Sequence, residues 1–472
     1  MRKILSNFFY QSIFQVTKLI LPLITIPIVS NALGPSGIGV FNYTNSIAQY
    51  FVLIAGLGIG VYGNREIARV RDDRVKMSKC FWEIFWMSFI VSVLSLLAYF
   101  TIVSFSEYRL YFYLQSLVII AAVFDISWFF MGIEDFKKSS LSSIGAQVFS
   151  FLAILYFVKG PDDITTYIII QGMNLIFTQL IMWLFIIKKI EFKTVKLKHM
   201  YYHFWPAMQF FIPKIAIILY TNMSKTLLGW LATTTDVGFY TNTLILNSIL
   251  VTLVTTIDLV LLPKFSNLVA KGDSKSLLNV LTKSIHIQLF FTIPMMFGTI
   301  LIVPQMVPWF FGEKFDFIIK TIPLVSPLTI IMPLGLAVGR QYLVPMNKIK
   351  VYNIAVLNGA AISIITNLIF IPIIGVYGAI LAIVLAELFV SVTRVYAFIK
   401  ETRFSFQKKY ILKCIFASVL MLGITRILTQ TMLNSFTTTF VQIIIGFTIY
   451  MIMTILMKCN PLMTVVKAIK NN

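Results

Sequence analysis

The sequence predicts an all-α integral membrane protein with fourteen transmembrane helices, and three observations support this fold class. Of the 472 residues, 58% are hydrophobic and only 12% are charged, whereas soluble domains carry about 25% charged residues. The apolar residues form runs of about 20, the length that crosses a bilayer. Lysine and arginine concentrate in alternate loops, as in multi-pass proteins that obey the positive-inside rule.

The predicted spans are apolar segments separated by short polar or basic loops. They occupy residues 8–31, 40–63, 81–104, 110–133, 140–158, 164–187, 204–231, 238–262, 284–303, 318–339, 349–371, 376–399, 410–428 and 436–457. Alternate loops, counted from the N-terminal segment, hold 30 of the 39 lysines and arginines, and the other loops hold 5. If one span were missed or wrongly added, the basic loops would no longer alternate. The pattern therefore predicts fourteen spans with both termini cytoplasmic.

Two similar segments predict an internal repeat. The second span begins after the uncharged turn Gly34-Pro35-Ser36-Gly37 and ends before a loop with six cations. The same pattern recurs at the eighth span, where Gly238 matches Gly39 at an offset of 199 residues. Because six spans separate the two segments, both halves have the same orientation, which predicts two parallel six-helix repeats.

The repeat predicts four segments in chain order. They are an N-terminal six-helix bundle at 1–187, a cytoplasmic basic linker at 188–203, a C-terminal six-helix bundle at 204–399, and helices thirteen and fourteen with a short cytoplasmic tail at 400–472. Five lysines in the linker are typical of a segment held by anionic lipid.

Composition and motifs exclude several functions. The net charge of +21 lies in short loops rather than on one basic domain, so nucleic acid is not a predicted partner. Cys80, Cys414 and Cys459 are scattered, which argues against a disulfide framework. The three histidines lack metal-site spacing, and G-x-x-x-x-G-K-[ST], H-E-x-x-H and G-x-S-x-G are all absent. No metal site, catalytic residue or ATP hydrolysis is therefore predicted.

Polar stripes on the first two spans are candidate substrate-binding surfaces. Gln11, Gln15 and Lys18 recur at helical spacing on one face of the first span. Asn42, Asn45 and Gln49 form a comparable stripe on the second span. Such stripes line a wet cavity or form hydrogen bonds between packed helices, and the sequence leaves both interpretations open.

Lysines inside spans favour an anionic substrate. The repeat-related position of Lys18 is 217, one turn from Lys214, so Lys18 and Lys214 are predicted to approach one central cavity. Two desolvated cations are unfavourable together unless an anion joins them. The alternative pairs each lysine with an acid of another span. Lys225 shares a face with Lys214 and is a third candidate, with snorkelling to the membrane surface as its alternative.

Four further ionisable residues lie within or beside the spans. Asp125, Asp258 and Glu387 are candidates for coupling to Na⁺ or H⁺, and each is also a candidate for structural pairing, for instance Glu387 with Arg394 two turns on. No other cofactor is predicted.

Several segments resemble one transporter family. The sequences are LGPSGIGVFNY and NREIAR around the second span, FDISWFFMGIEDFKK at the fourth, SKTLLGWLATTTDVGFYTNT and LLPKFSNL at the seventh and eighth, and IPIIGVYGAILA at the twelfth. Over nearly its whole length the chain resembles the polysaccharide-transport branch of the MATE/MurJ-like (MOP) exporter superfamily, which includes the Wzx-type flippases for O-antigen and capsule. That family often has an aspartate just before the lysine of the seventh span, where this chain has Ser224 before Lys225.

The resemblance implies a fold and a function. The fold would be two six-helix bundles in a V around a cavity, with two extra helices. The protein would be a flippase rather than an enzyme, a monomer in the bacterial cytoplasmic membrane. It would move undecaprenyl-diphosphate-linked oligosaccharide units to the outer leaflet by alternating access, for surface polysaccharide synthesis. Its partners would be the lipid-linked oligosaccharide, membrane lipid and the polysaccharide polymerase machinery.

Three other functions remain open at this point. A lipid II-type flippase and a cation-coupled drug exporter belong to the same superfamily, and a membrane-embedded glycan polymerase or ligase belongs to another class. The three lysines of the first and seventh spans argue against a site for cationic drugs. The short outer loops argue against a polymerase, which would need a large loop with catalytic groups.

Overall fold

The computed structural model describes residues 2–461 and 463, and it confirms the all-α class. Within these residues the chain forms sixteen α-helices, two short 3₁₀ helices and one π-helical turn, with no strand. Side chains 1–16 and a few later ones inside helices are outside the described set, so the predictions for the Gln11 and Gln15 side chains lie outside it.

The chain divides into two compact units, Met1–Gly238 and Phe239–Asn472. The first unit contains α1 (Arg2–Gly56), α2 (Ile59–Val70), α3 (Arg74–Val103), α4 (Arg109–Val123), α5 (Ser127–Gly132), α6 (Phe136–Phe157), α7 (Ile164–Ile186) and α8 (Leu197–Leu231). The seventh predicted span is α8, and it packs against α1, α2 and α3 of the first unit.

The second unit begins inside α9. Its helices are α9 (Thr234–Ala270), α10 (Ser274–Phe310), α11 (Ile318–Val325), α12 (Leu328–Val338), α13 (Ile349–Ile374), α14 (Val376–Thr402), α15 (Lys408–Thr429) and α16 (Phe436–Leu456). A π-helical turn, Gly339–Leu343, continues α12.

Twelve segments among the described residues are long and apolar enough to cross a membrane. The first, Ile20–Val70, has 51 residues, more than twice the ~20 that one crossing needs. It includes Gly34, whose φ of 65° interrupts the helical geometry of α1. The segment α8 is not among the twelve. The count of fourteen stays a prediction, and it would follow if α1 crosses twice and α8 crosses once.

Three predicted spans that looked continuous are broken in the described residues, which corrects the boundaries drawn from hydropathy. The second predicted span is interrupted at Leu57 and Gly58, where α1 ends and α2 begins. The fourth is interrupted at residues 124–126, between α4 and α5. The tenth is interrupted at Ser326 and Pro327, between α11 and α12. Hydropathy does not detect these breaks because the mean hydropathy of each surrounding segment stays high.

An aromatic core holds the first unit together. Trp128 is 1% exposed and stacks on Phe81 with ring centroids 5.4 Å apart. A Cβ on Gly63 of α2 would lie 2.6 Å from the Trp128 ring, so glycine lets α2 approach α5 closely. Close packing of this kind is the main attraction between helices in a membrane, where lipid removes the hydrophobic driving force.

Glycines allow α1 and the first turn of α9 to cross at backbone contact. A Cβ on Gly39 would lie 1.6 Å from the carbonyl oxygen of Thr234, and a Cβ on Gly238 would lie 2.0 Å from that of Pro35. Pro35 and Thr234 are separated by the same 199 residues as Gly39 and Gly238. This reciprocal contact supports the predicted repeat.

The orientation in the membrane is a prediction that cysteine labelling can check. We expect a cysteine at exposed Ser36 to react with an impermeant thiol reagent added outside cells, because the turn there is predicted to face outward. A cysteine at exposed Lys196, in the basic linker, should react only after the membrane is opened. The background would lack Cys80, Cys414 and Cys459. External labelling at residue 196, or protection at residue 36, would contradict the orientation.

Candidate functional site

A cavity of about 460 Å³ lies in the first unit. This volume falls in the ~300–1,000 Å³ range of small-molecule sites. Its wall is mainly apolar, but a few polar side chains and three glycines also line it. These residues come from α1, α2, α3 and α8 and from the junctions that precede α2 and α5. The polar and glycine residues are Gln49, Ser88, Asp125, Lys214, Gly56, Gly58 and Gly60.

The break between α1 and α2 forms part of the cavity wall. Leu57 and Gly58 have φ values of 36° and 72°, in the left-handed region, which glycine adopts readily and other residues rarely. A Cβ on Gly58 would lie 2.6 Å from the carbonyl oxygen of Ala207, so the chain turns where the α8 backbone passes. A strained residue such as Leu57 costs about 1–3 kcal/mol, and such residues cluster at functional sites.

Positive charge converges at this break. The Lys214 ammonium lies 3.7 Å from the position that a Cβ would take at Gly60, in the first turn of α2. Backbone amides at a helix N-terminus carry partial positive charge and bind anions. Across the described part of the chain, no carboxylate oxygen lies within 4 Å of Lys214 Nζ. A phosphate group is a suitable partner for an ammonium and a helix N-terminus together.

Asp125 lines the same cavity but also has a structural role. The backbone N–H of Ser127 donates to Asp125 Oδ1 at 2.8 Å, and Trp128 Nε1 donates to the Asp125 carbonyl oxygen at 2.9 Å. The carboxylate therefore fixes the turn at which α5 begins. The structure brings Lys214 and Asp125 into one cavity without placing them in an ion pair.

The polar residues of the second span have two different roles: most form contacts between helices, and one lines the cavity. Lys225 Nζ on α8 donates to Asn42 Oδ1 at 3.4 Å. One turn along α1, Ser46 Oγ lies 2.8 Å from Thr226 Oγ1. Asn45 contributes to packing as well, since its amide nitrogen lies 3.5 Å from Gln115 Oε1 on α4.

Gln49, a further turn along α1, is the member of this stripe that lines the cavity. Hydrogen bonding between packed helices thus describes most of the stripe.

The remaining predicted residues lie elsewhere. Lys18 is exposed on α1 and is not part of the described cavity lining. Asp258 is fully buried in the second unit. Glu387 and Arg394 are buried on α14, where the Arg394 guanidinium lies 4.2 Å from the centre of the Tyr352 ring.

A half-buried polar cluster that the sequence analysis did not identify joins α8 to α2 and α3. Glu83 on α3 lies 3.2 Å from His203 and 3.5 Å from His199 of α8, and the Tyr62 hydroxyl lies 2.6 Å from His203. The two histidines are four residues apart, so they share a helix face. That spacing was a signal for a shared partner, although it did not identify Glu83.

A multi-pass helical protein with a broken helix, and with a cavity-lining lysine that has no ion pair among the described residues, has the architecture of a membrane transporter. Comparisons with known proteins agree. A family model described as "Polysaccharide biosynthesis protein" matches residues 4–269. This match covers more than half of the chain, which therefore belongs to the polysaccharide biosynthesis protein family.

Individual relatives are distant. The "Putative O-antigen transporter" of Escherichia coli (strain K12) is 21% identical over 356 residues, which cover 74% of this chain and 85% of that protein. The solved structure "Lipid II flippase MurJ, inward closed conformation" has a TM-score of 0.67 at 17% identity, and covers 94% of this chain and 99% of that one. An inward-facing multidrug resistance MATE family transporter of the MOP superfamily has a TM-score of 0.64 at 13% identity, with 84% and 98% covered. These structures establish the MurJ/MATE-like fold.

Proposed function

We propose that this protein flips a polyprenyl-diphosphate-linked oligosaccharide from the cytoplasmic to the outer leaflet of the bacterial cytoplasmic membrane. Membership of a polysaccharide biosynthesis family and the relative described as an O-antigen transporter support this proposal. The observation that carries it is the Lys214 ammonium beside the N-terminus of α2 in a largely apolar cavity.

The site chemistry suits the head of such a glycolipid. Lys214 and the α2 amides would bind the diphosphate, with electrostatic attraction strengthened by the low dielectric constant around them. Gln49 and Ser88 would form hydrogen bonds with sugar hydroxyls. A cavity of about 460 Å³ is too small for a long polyprenyl chain, so the tail would stay in lipid.

Transport would proceed by alternating access, without ATP hydrolysis by this chain, because the phosphate-binding loop motif is absent. An ion gradient, the membrane potential or consumption of the product by a polymerase outside would drive net transport to the outer leaflet. A lipid II-type substrate has the same diphosphate and is the second candidate, since the MurJ structure shares the fold. A cationic drug fits less well because the ammonium of Lys214 would repel it.

Reconstitution would test the proposal. We expect purified protein in liposomes to expose a fluorescent polyprenyl-diphosphate oligosaccharide to a membrane-impermeant enzyme or quencher, without nucleotide. Protein-free liposomes provide the baseline, and lipid II in the same assay separates the two substrates. Flipping that requires internal ATP would contradict the mechanism, and no flipping of either diphosphate lipid would contradict the proposed substrate class.

A further inference from the structure

A carboxylate in the second unit lies at the centre of a buried polar cluster. Asp258 on α9 has no exposed surface. The side-chain amides of Gln288 on α10 and Gln341 in the π-helical turn both donate to Asp258 Oδ1, each at 2.6 Å. Gln341 Nε2 also donates to Ser284 Oγ at 3.0 Å. Three elements thus converge on one carboxylate.

These donors leave three oxygens without partners. Asp258 Oδ2, Gln288 Oε1 and Gln341 Oε1 are all buried, and none has a hydrogen-bond partner in the described part of the protein. Buried polar atoms are almost always hydrogen-bonded because each unsatisfied one costs free energy. Within the same described residues, no lysine, arginine or histidine nitrogen lies within 4 Å of the Asp258 carboxylate. Among the described residues Asp258 thus has no direct ion pair, and Arg340, next to Gln341, interacts with it only at longer range.

Local backbone geometry reinforces this cluster. Ser284, Gln288 and Thr292 are four residues apart and share one face of α10, and buried Thr292 Oγ1 also has no partner among the described residues. The π-helical turn Gly339–Leu343 carries Gln341. Short π-helical segments within helices are rare and are frequent at functional sites.

We propose that Asp258, Gln288, Gln341 and Ser284 form a binding site for one sodium ion. Hard cations prefer oxygen ligands, and one cation would engage all three unpartnered oxygens at once. A proton on Asp258 Oδ2 would bond that oxygen to one glutamine oxygen and leave the other without a partner. The single carboxylate balances a monovalent ion, whereas a divalent ion would leave an uncompensated charge in the membrane.

Thermal unfolding with matched salts tests this site, and it does so independently of the substrate proposed above. We expect the Tm of the detergent-purified full-length protein to rise with NaCl, and not with KCl or choline chloride at equal ionic strength, because a ligand that binds the folded state stabilises it. Asp258→Asn should abolish this response. Gln341→Leu should raise the half-saturating sodium concentration at least tenfold.

Gln442→Leu is the matched control, since Gln442 is a buried amide of the same unit, 1% exposed, with one hydrogen bond to Thr429. It should keep the sodium response of the unmodified protein. Saturable binding of ²²Na⁺ to the unmodified protein provides a measurement that does not depend on any variant folding. Absence of that binding, equal stabilisation by all three salts, or an unchanged sodium response in Asp258→Asn would each overturn the sodium site.

Discussion

Replacement of Gly39 by alanine is expected to prevent stable folding. The added Cβ would lie 1.6 Å from the carbonyl oxygen of Thr234, and that oxygen belongs to the backbone of a crossing segment. A flexible side chain could move aside, but here α1 and the start of α9 would have to separate. Overpacking usually costs 1–3 kcal/mol, and we expect about 3 kcal/mol or more here because the contact is with backbone. Gly238→Ala should behave similarly, with 2.0 Å to the Pro35 oxygen.

The measurement is the amount of membrane-inserted protein and its Tm in detergent. Gly145→Ala is the matched control, because Gly145 is a helical glycine of the first unit with no atom within 4 Å of the added Cβ. It should leave both quantities unchanged or slightly raised. Normal yield and Tm for Gly39→Ala would show that α1 and the first turn of α9 do not meet at backbone contact.

Replacement of Lys214 by alanine is expected to abolish glycan export while the protein remains folded. The lysine lies beside the first turn of α2 in the cavity, so its loss would remove a charged contact to the proposed substrate. Such a hydrogen bond is worth about 1.5–3 kcal/mol, or roughly a ten- to hundredfold loss of affinity. Because Lys214 has no ion pair among the described residues, its removal leaves no uncompensated carboxylate and should not reduce protein level.

The readout is surface glycan together with membrane protein level. Lys214→Arg should retain more export than Lys214→Gln, because it keeps the charge although the guanidinium has a different shape. Lys320→Ala, at an exposed lysine on α11, is the control and should export normally. Full export by Lys214→Ala would refute the cationic site. If Asp125→Asn restored export to Lys214→Ala, the two residues would instead act as a structural pair.

The polar stripe on α1 shows how far sequence reasoning about the site could go. Helical spacing correctly grouped Asn42, Asn45 and Gln49 on adjacent turns. It could not separate Asn42, which accepts a hydrogen bond from Lys225, from Gln49, which lines the cavity. That distinction depends on where α8 crosses α1, and the two partners are 183 residues apart in the chain.

The sequence by itself determined the class of protein and its helical composition. Long apolar runs, little charge and alternating basic loops are local properties of the sequence. In a bilayer, segments with these properties form spanning helices of defined orientation. Only the tertiary structure decided where those helices break and which polar groups meet. The break at Leu57 and Gly58 depends on the passing α8 backbone, and Asp258 meets glutamines 30 and 83 residues away. Packing between distant segments sets these features, and hydropathy carries no information about it.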